Sequence, residues 1–363
     1  MASASSSGRL GWVDLAKGIS ILLVVMMHSA YGVGADTGDI GVLHWVIAWA
    51  TPFRMPEFFL ISGLFLAAVI ARPWGRYADR RVVHYLYFYA VWAVIHIGFK
   101  FGLGAYSAPD ALRYIALAPV EPYGVLWFIY MLAIVSAVAK LCHDLRLPHW
   151  FVLAAGAALQ IAPVHTGSYA VDQFAEFFVF FYAGYAGAPL VFQLADWAAK
   201  HVILALLSLA AWATIHSMLV FSPGFAIEPT ETYLGYAGLP GVNLMLGVAG
   251  AVALCTTSAL LARIPAMDWL RWLGARSIVV YLAFALPMGV AREILLRLGI
   301  IEDVSAISLL VMATAVISPL ILQAIIERTG IGRFLFERPA WAHIPGTPGS
   351  RQSAELVSRT PAE

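Results

Sequence analysis

Charged residues are scarce in this chain. Lysine, arginine, aspartate and glutamate make up 12% of its 363 residues, the net charge is +1, and 61% of the residues are apolar. This balance excludes an ordinary soluble domain. The chain also lacks a basic run and an aromatic RNA-binding motif, so we expect no nucleic-acid partner.

Cysteine and the common catalytic motifs are also lacking. The two cysteines, Cys142 and Cys255, provide neither a disulfide framework nor a zinc spacing. There is no serine elbow, P-loop, dinucleotide fingerprint or metal-ligand spacing, so we expect no bound metal. We interpret the scattered histidines as packing or interface residues; they are His84, His96, His143, His165, His201 and His216.

Long apolar windows are what the chain does contain. A membrane span needs about 20 apolar residues, and about ten such windows are present. The sequence therefore predicts an all-α, polytopic membrane protein with about ten transmembrane helices. Lysine and arginine are concentrated in alternate loops, which places the N- and C-termini in the cytoplasm. The first window is expected to be a retained helix and not a signal peptide, because Asp14 and Lys17 adjoin it and further spans follow.

Three regions are predicted along the chain. Residues 1–9 are expected to be a flexible leader, and residues 10–330 a membrane-embedded domain. Residues 339–363 are rich in proline, glycine and serine, which predicts a disordered tail.

The second apolar window contains two prolines, Pro52 and Pro56. Proline in a helix interior removes a hydrogen bond and clashes with the preceding turn. We therefore expect a short surface or re-entrant helix near 41–50, a break at 51–55 and a span over 56–71. Broken backbone at membrane depth is tolerated where it lines a cavity.

The first predicted helix, 12–33, carries three ionisable residues. Lys17 and His28 are eleven residues apart, which is about three helical turns, so both lie on one stripe roughly 16 Å apart along the axis. Asp14 precedes Lys17 by one turn and can pair with it. Such groups usually face a bundle interior or a wet cavity, although Asp14 and Lys17 would also suit the membrane interface.

The predicted orientation sorts the other polar residues by depth. A cationic loop, with Arg76, Arg80 and Arg81, faces the cytoplasm. This layout suits a phosphate-bearing compound from inside and a neutral polar acceptor from outside. The residues predicted near the outer face are His28, Arg54, Glu57, Trp127, Tyr130, Asp172, Glu176, Arg292 and Glu293.

Four places in the sequence carry a resemblance to a known family. The segment VDLAKGISILLVVMMHS, with Lys17 and His28, resembles the first-helix signature of the acyltransferase 3 family of integral membrane O-acyltransferases, especially its fucose 4-O-acetylase-like group. The segment FRMPEFFLISGLFL resembles the family's Met-Pro-x-Phe-Phe-x-x-Ser-Gly element. The pair Arg80-Arg81 and the segment LWFIY at 126–130 resemble two weaker elements.

The chain also departs from that family. Lys17 stands where most members have arginine, Arg54 where histidine is usual, and Glu57 where an apolar residue is usual. In SIVVYLAFALP, Phe284 stands where histidine is common, so no role of that histidine is carried over. The resemblance implies transfer of an acyl group, most often acetyl from acetyl-CoA, to a hydroxyl of an envelope or exported glycan.

Acyl transfer to an alcohol needs a base for the hydroxyl proton. We expect His28 to be that base, since imidazole titrates near neutral pH. Glu57 either orients His28 or pairs with Arg54 or Arg292. Lys17, with Asp14, either holds the CoA moiety or orders the helix.

Binding roles complete the predicted site. Arginine forks match phosphate oxygens, so Arg76, Arg80 and Arg81 are expected to bind acyl-CoA, unless they only follow the positive-inside rule. The residues predicted to bind the saccharide acceptor are Arg54, Trp127, Tyr130, Glu176 and Arg292. Trp127 and Tyr130 would also suit anchors at the membrane interface.

The expected partners are the lipid bilayer, acyl-CoA and a saccharide, in a bacterial cytoplasmic (inner) membrane. A glycolipid or solute transporter and a non-enzymatic partner of polysaccharide synthesis are the alternative functions. The acceptor glycan, the choice of acetyl or succinyl, and the oligomeric state stay open.

Overall fold

Helices account for nearly all regular structure in this computed structural model, which describes the backbone of residues 4–351 and the side chains of residues 11–351. The first seven α-helices are α1 (Ala4–Thr37), α2 (Val42–Gly63), α3 (Trp74–Ala78), α4 (His84–Gly102), α5 (Ala108–Leu117), α6 (Trp127–Asp144) and α7 (His149–Ile161). The next are α8 (Tyr169–Ala186), α9 (Ala188–Lys200), α10 (Val202–Val220), α11 (Pro240–Leu261), α12 (Asp268–Ala275), α13 (Ser277–Ala283), α14 (Ala285–Leu298) and α15 (Val304–Thr329).

Short irregular elements connect these helices. A π-helical turn, Asp79–Val83, joins α3 to α4. Strands β1 (Ala226–Ile227) and β2 (Thr232–Tyr233) form one small antiparallel hairpin between α10 and α11. Single 3₁₀ turns occur at Gly124–Leu126, Gly235–Gly238, Pro265–Met267, Arg333–Leu335 and Ala340–Ala342.

The helices are long and apolar enough for a multi-pass membrane protein. Six stretches of the described chain could cross a bilayer, and two helix pairs, α8 with α9 and α13 with α14, each bend sharply and would raise the number to eight. The bends are 72° and 56°. An all-α, polytopic architecture is thus confirmed. A total of ten membrane spans would also require α2 and the 13-residue helix α7 to cross the bilayer.

Helix α2 corrects the prediction made from its prolines. It runs without a break from Val42 to Gly63, with Pro52 and Pro56 inside it, and turns follow where the span was expected to continue. The helix packs against α1, α8 and α11. Neighbouring helices allow proline inside a membrane helix, because packing offsets the lost hydrogen bond. Composition alone does not reveal that packing.

Close backbone contact joins α2 to α8. A Cβ atom on Gly63 would overlap the carbonyl oxygen of Phe181, and one on Gly184 would overlap that of Leu60. Glycine at both positions lets the two helices cross at minimal separation. This crossing fixes the arrangement of two helices that both contribute to the site described below.

Both ends of the chain differ from the predicted leader and tail. Helix α1 begins at Ala4, within the leader expected to be flexible. After α15 the chain returns along α4, where Tyr87 Oη donates to the Phe334 carbonyl (3.0 Å) and Trp92 Nε1 donates to the Leu335 carbonyl (2.9 Å). Residues 339–351, expected to be disordered, hold a defined position. The prediction for 352–363 lies outside the described residues.

Candidate active site

Helix α1 lines two separate pockets, one towards each of its ends. The first, which we call the lysine pocket, has a volume of about 340 Å³. Its polar lining residues are Lys17, Ser62, Arg80, Arg81, His84, Tyr85, Ser277 and Tyr281. Three of the basic residues predicted for the site therefore line one cavity, in which α1 supplies the lysine and the turn before α4 supplies the arginines.

Positive charge dominates the lysine pocket. The Lys17 ammonium lies 3.6 Å from Asp14 Oδ1, in a half-exposed ion pair between successive turns of α1. Arg81 donates from Nη1 to the Tyr85 hydroxyl at 3.3 Å. With Arg80 also lining the cavity, three cationic side chains line the pocket, which is therefore suited to a multiply charged anion. Arg76 is exposed on α3 and does not line it.

The second cavity, which we call the histidine pocket, has a volume of about 460 Å³. It brings together four of the predicted site residues, which come from α1, α2, α6 and α8. These residues are His28, Arg54, Trp127 and Glu176. Tyr169 and Gln173 also line it and were missed, because neither belongs to a recognisable motif.

Arg54 brings unused hydrogen-bond donors to the histidine pocket. Its Nε and Nη1 atoms are buried and have no hydrogen-bond partner among the described residues. Burying the unpaired donors of a cation is costly, and Arg54 itself lines the pocket. Glu176 faces the same pocket and is exposed. The pocket therefore offers both donors and a carboxylate acceptor, which is the combination that hydroxyl groups require.

The His28 imidazole is half-buried and packs on one side against Phe284. The ring centroids are 5.4 Å apart and the planes are inclined by 40°. Phe284 is fully buried, and it is the position where the resembling family commonly has histidine. In this chain the imidazole has an apolar neighbour there, and its open side faces the histidine pocket.

A layer of side chains separates the two pockets. Phe58 and Phe128 line the lysine pocket, while Met55 and Val125, each three residues earlier on the chain, line the histidine pocket. Since three residues span about 4.5 Å of helix, the partition is about one side chain thick. The pockets are thus stacked along α1, as the spacing of its lysine and histidine predicts.

Tyr281 fixes the start of α6 within this layer. Its hydroxyl accepts from the backbone N–H groups of Phe128 (3.1 Å) and Ile129 (3.3 Å) and donates to the Val125 carbonyl (2.6 Å). The first N–H groups of a helix have no intrahelical partner. A side chain from α13 therefore caps α6 at the point where the two pockets meet.

Glu57 lies apart from both pockets. Its carboxyl group hydrogen-bonds with the Ser20 hydroxyl on α1 and is almost fully buried. Neither expected contact, with His28 or with an arginine, is found among the described side chains. The rotation of α2 turns this residue towards α1 and α11, away from the cavity. Arg292, one of its proposed partners, lies 2.8 Å from Asp36 Oδ2 instead.

Tyr130 also lies outside the histidine pocket. Its hydroxyl donates to the Pro119 carbonyl at 2.9 Å, and the ring lines an apolar groove beside α4. Arg292, paired as described, is not among the residues lining the histidine pocket. Three of the five residues predicted to bind acceptor thus share the pocket of His28, and two do not.

Together the fold and the two pockets define a multi-pass membrane protein with ionisable groups facing internal cavities. The family model for the acyltransferase domain (Acyl_transf_3) matches residues 10–324, and the chain therefore belongs to that family. This confirms the resemblance seen in the sequence. The chain is also similar to the inner membrane protein YcfT of Escherichia coli strain K12, at 25% identity over 162 residues.

The match to YcfT covers 38% of this chain and 45% of that protein, so less than half of the relative is spanned. No solved structure gives a significant match. The match assigns residues 10–324 to the acyltransferase domain family, and the residue roles proposed below rest on the geometry described above.

Proposed function

We propose that this acyltransferase moves an acyl group, acetyl in the first instance, from acyl-CoA to a hydroxyl of an envelope or exported saccharide. The observation that carries the proposal is the pair of pockets stacked along α1, one cationic and one containing a half-buried histidine. A donor with phosphates and an acceptor with hydroxyls are the two reactants that such a pair suits.

The lysine pocket is the proposed donor site. Guanidinium groups bind phosphate oxygens in a fork geometry, and an ammonium group adds a point charge. Lys17, Arg80 and Arg81 would hold the phosphates of CoA, with exposed Arg76 at the approach. Its thioester would then reach past the layer at Phe58 and Phe128 towards His28.

The histidine pocket is the proposed acceptor site. His28 takes the proton of the acceptor hydroxyl while that oxygen attacks the thioester carbonyl, and the tetrahedral intermediate then collapses as the carbon–sulfur bond breaks. The proton passes from the imidazole to the departing CoA thiolate, which leaves the ester and free CoA. Trp127 offers a face for the sugar ring, and Arg54 and Glu176 offer hydrogen bonds to its hydroxyls.

The proposed setting is the bacterial inner membrane, with ten spans and both termini in the cytoplasm. The arginine-rich loops on one side of the predicted topology support this orientation, and the similarity to the inner membrane protein YcfT supports the location. Acyl-CoA would enter the lysine pocket from the cytoplasm, and the saccharide would enter the histidine pocket from the opposite side.

Cell-envelope glycans would be compared by mass spectrometry in a deletion strain complemented with the wild-type protein or the His28→Ala variant. We expect acylation only with the wild type. His165→Ala, at an exposed loop position, is the matched control and should complement fully. Full acylation with the His28→Ala variant, expressed at the wild-type level, would contradict the proposal.

A transporter is the second candidate, because the bent pairs α8–α9 and α13–α14 are a feature of many transporters. Saccharide uptake into proteoliposomes without acyl-CoA would favour it. A non-enzymatic partner of polysaccharide synthesis would be favoured if His28→Ala kept the full biological effect. Acylation by the purified protein, with free CoA released in equal amount, would exclude both alternatives as its sole function.

A further inference from the structure

Asp79 is the most completely buried carboxylate with a cationic partner in the described structure. Its side chain has 1% exposure, and it lies 2.5 Å from Arg338 Nη2, whose own side chain has 3% exposure. The two residues are 259 positions apart in the chain. The contact therefore ties the segment after α15 to the turn before α4.

Several hydrogen bonds from the chain after α15 converge on Asp79. Arg338 also donates from Nη1 to the backbone carbonyl of Asp79 at 2.7 Å, so one guanidinium binds both the main chain and the side chain of that residue. The backbone N–H of Ile344 donates to Asp79 Oδ1 at 2.8 Å, and His343 Nδ1 lies 3.1 Å from Oδ2. We call residues 333–351 the C-terminal segment; it encloses this carboxylate.

The location of Asp79 gives the contact its significance. It begins the π-helical turn Asp79–Val83, and the next two residues, Arg80 and Arg81, both line the lysine pocket. A π turn is a rare, wider turn that often occurs at functional sites. Its irregular backbone sets the directions of the two arginines, and Arg338 holds its first residue in place.

A stabilising role alone is a weak explanation for the pair. Taking two charges out of water is costly, and a buried ion pair often gives no more stability than apolar residues would. The C-terminal segment is already held along α4 by Tyr87 and Trp92. The ion pair adds a defined position for one turn of backbone.

We infer that Asp79 and Arg338 are positioning residues for the anion-binding arginines of the lysine pocket. The C-terminal segment thereby becomes part of the donor site without touching the donor. This inference rests on the proposed function, in which the pocket binds the phosphates of CoA. Its consequence is specific: loosening the contact weakens donor binding and leaves acceptor binding unchanged.

The test uses the purified full-length protein in detergent, with coenzyme A as the calorimetric ligand and acetyl-CoA in the kinetic assay. Asp79→Asn and Arg338→Gln should each raise the CoA dissociation constant and the KM for acetyl-CoA about tenfold. That is the lower end of the effect seen when groups that orient metal ligands are removed. The KM for the saccharide should not change.

Two further variants control for folding. Arg338→Lys keeps the charge but loses the fork, so its dissociation constant should fall between those of the wild type and Arg338→Gln. Arg333→Gln, at an exposed arginine on the same segment, should bind CoA like the wild type. A substitution that only reduced the folded fraction of the protein would lower the apparent kcat and leave the KM unchanged.

The outcomes separate this inference from the proposed function. If wild-type protein does not bind CoA, the donor site itself is misassigned. If the wild type binds CoA and both Asp79→Asn and Arg338→Gln bind it with the same affinity, the donor site stands and the positioning role is overturned. Should Asp79→Asn fail to fold, Arg338→Lys and Arg338→Gln decide the question.

Discussion

The ring of Phe58 is stacked on the ring of Phe128, with centroids 4.5 Å apart and planes inclined by 16°. Phe59 and Tyr281 contact the Phe128 ring edge-on, at 4.8 Å and 5.6 Å. The stacked pair forms the partition between the lysine and histidine pockets. Under the proposed function, any thioester travelling from one pocket to the other must pass this pair.

Removing one ring of the pair should relax selection against longer acyl groups. We expect Phe58→Ala to raise the ratio of kcat/KM for butyryl-CoA over acetyl-CoA about tenfold, since a methylene or two changes discrimination by that order. The measurement is initial-rate kinetics with the two donors. Phe101→Ala, at an exposed position on α4, should leave the ratio unchanged. An unaltered ratio in folded Phe58→Ala protein would show that the partition does not select the donor.

Lys17 should contribute to donor binding through its charge. We expect Lys17→Ala to raise the KM for acetyl-CoA about tenfold, the equivalent of about 1.4 kcal/mol, while Lys17→Arg stays near the wild-type value. Because the pocket is open to solvent, the wild-type KM should rise with ionic strength. The slope of that dependence should be shallower in Lys17→Ala. Lys200→Ala, exposed at the end of α9, serves as the control.

Arg54 should act on the acceptor side. Arg54 lines the histidine pocket, where its guanidinium is expected to donate to acceptor oxygens, and a hydrogen bond to a charged group is worth about 1.5–3 kcal/mol. Arg54→Gln should therefore raise the KM for the saccharide about tenfold or more and leave the KM for acetyl-CoA unchanged. A raised KM for acetyl-CoA with an unchanged KM for the saccharide would instead assign Arg54 to donor binding. Arg113→Gln, at an exposed position on α5, is the matched control and should leave both KM values unchanged.

Glu57 should prove dispensable for chemistry. The Ser20 hydroxyl lies 2.7 Å from the Ala16 carbonyl and also contacts the Glu57 carboxyl group. One hydroxyl proton cannot serve two acceptors, so the arrangement is satisfied when the carboxyl group supplies the second proton. A glutamine amide supplies such a proton too.

We therefore expect Glu57→Gln to keep kcat within about twofold of the wild type. Glu57→Ala should instead lower stability by about 1–3 kcal/mol, because the buried Ser20 hydroxyl loses one of its two partners. Thermal unfolding in detergent and turnover assays of both variants provide the measurements. A large loss of turnover in well-folded Glu57→Gln protein would return this residue to the mechanism.

Helical periodicity explains what could be predicted from the sequence. The eleven-residue spacing of Lys17 and His28 correctly placed both on the stripe of α1 that lines the pockets, since a helix rotates by a fixed angle per residue. Apolar window length likewise predicted an all-α chain with several helices long enough to cross a membrane. Both properties are local, so neither requires knowledge of the packing.

Rotation and long-range pairing could not be predicted in the same way. Whether Glu57 faces the cavity depends on how α2 is turned against α1, which one sequence does not reveal. The contact of Asp79 with Arg338 joins residues 259 apart, and the composition of the tail pointed to disorder. The break predicted at Pro52 and Pro56 was wrong for a related reason. Tertiary packing of α2 against its neighbours allows these prolines inside the helix, and composition does not reveal that packing.

The glycine crossing of α2 and α8 has a mechanical consequence for the acceptor pocket. Arg54 lies nine residues before Gly63, and Glu176 lies eight residues before Gly184, so each side chain is about 12–14 Å from the crossing. Because these glycines hold the two helices at their closest approach, a change of a few degrees in the crossing angle would displace Arg54 and Glu176 relative to each other. The same pocket could then accommodate saccharides of different width.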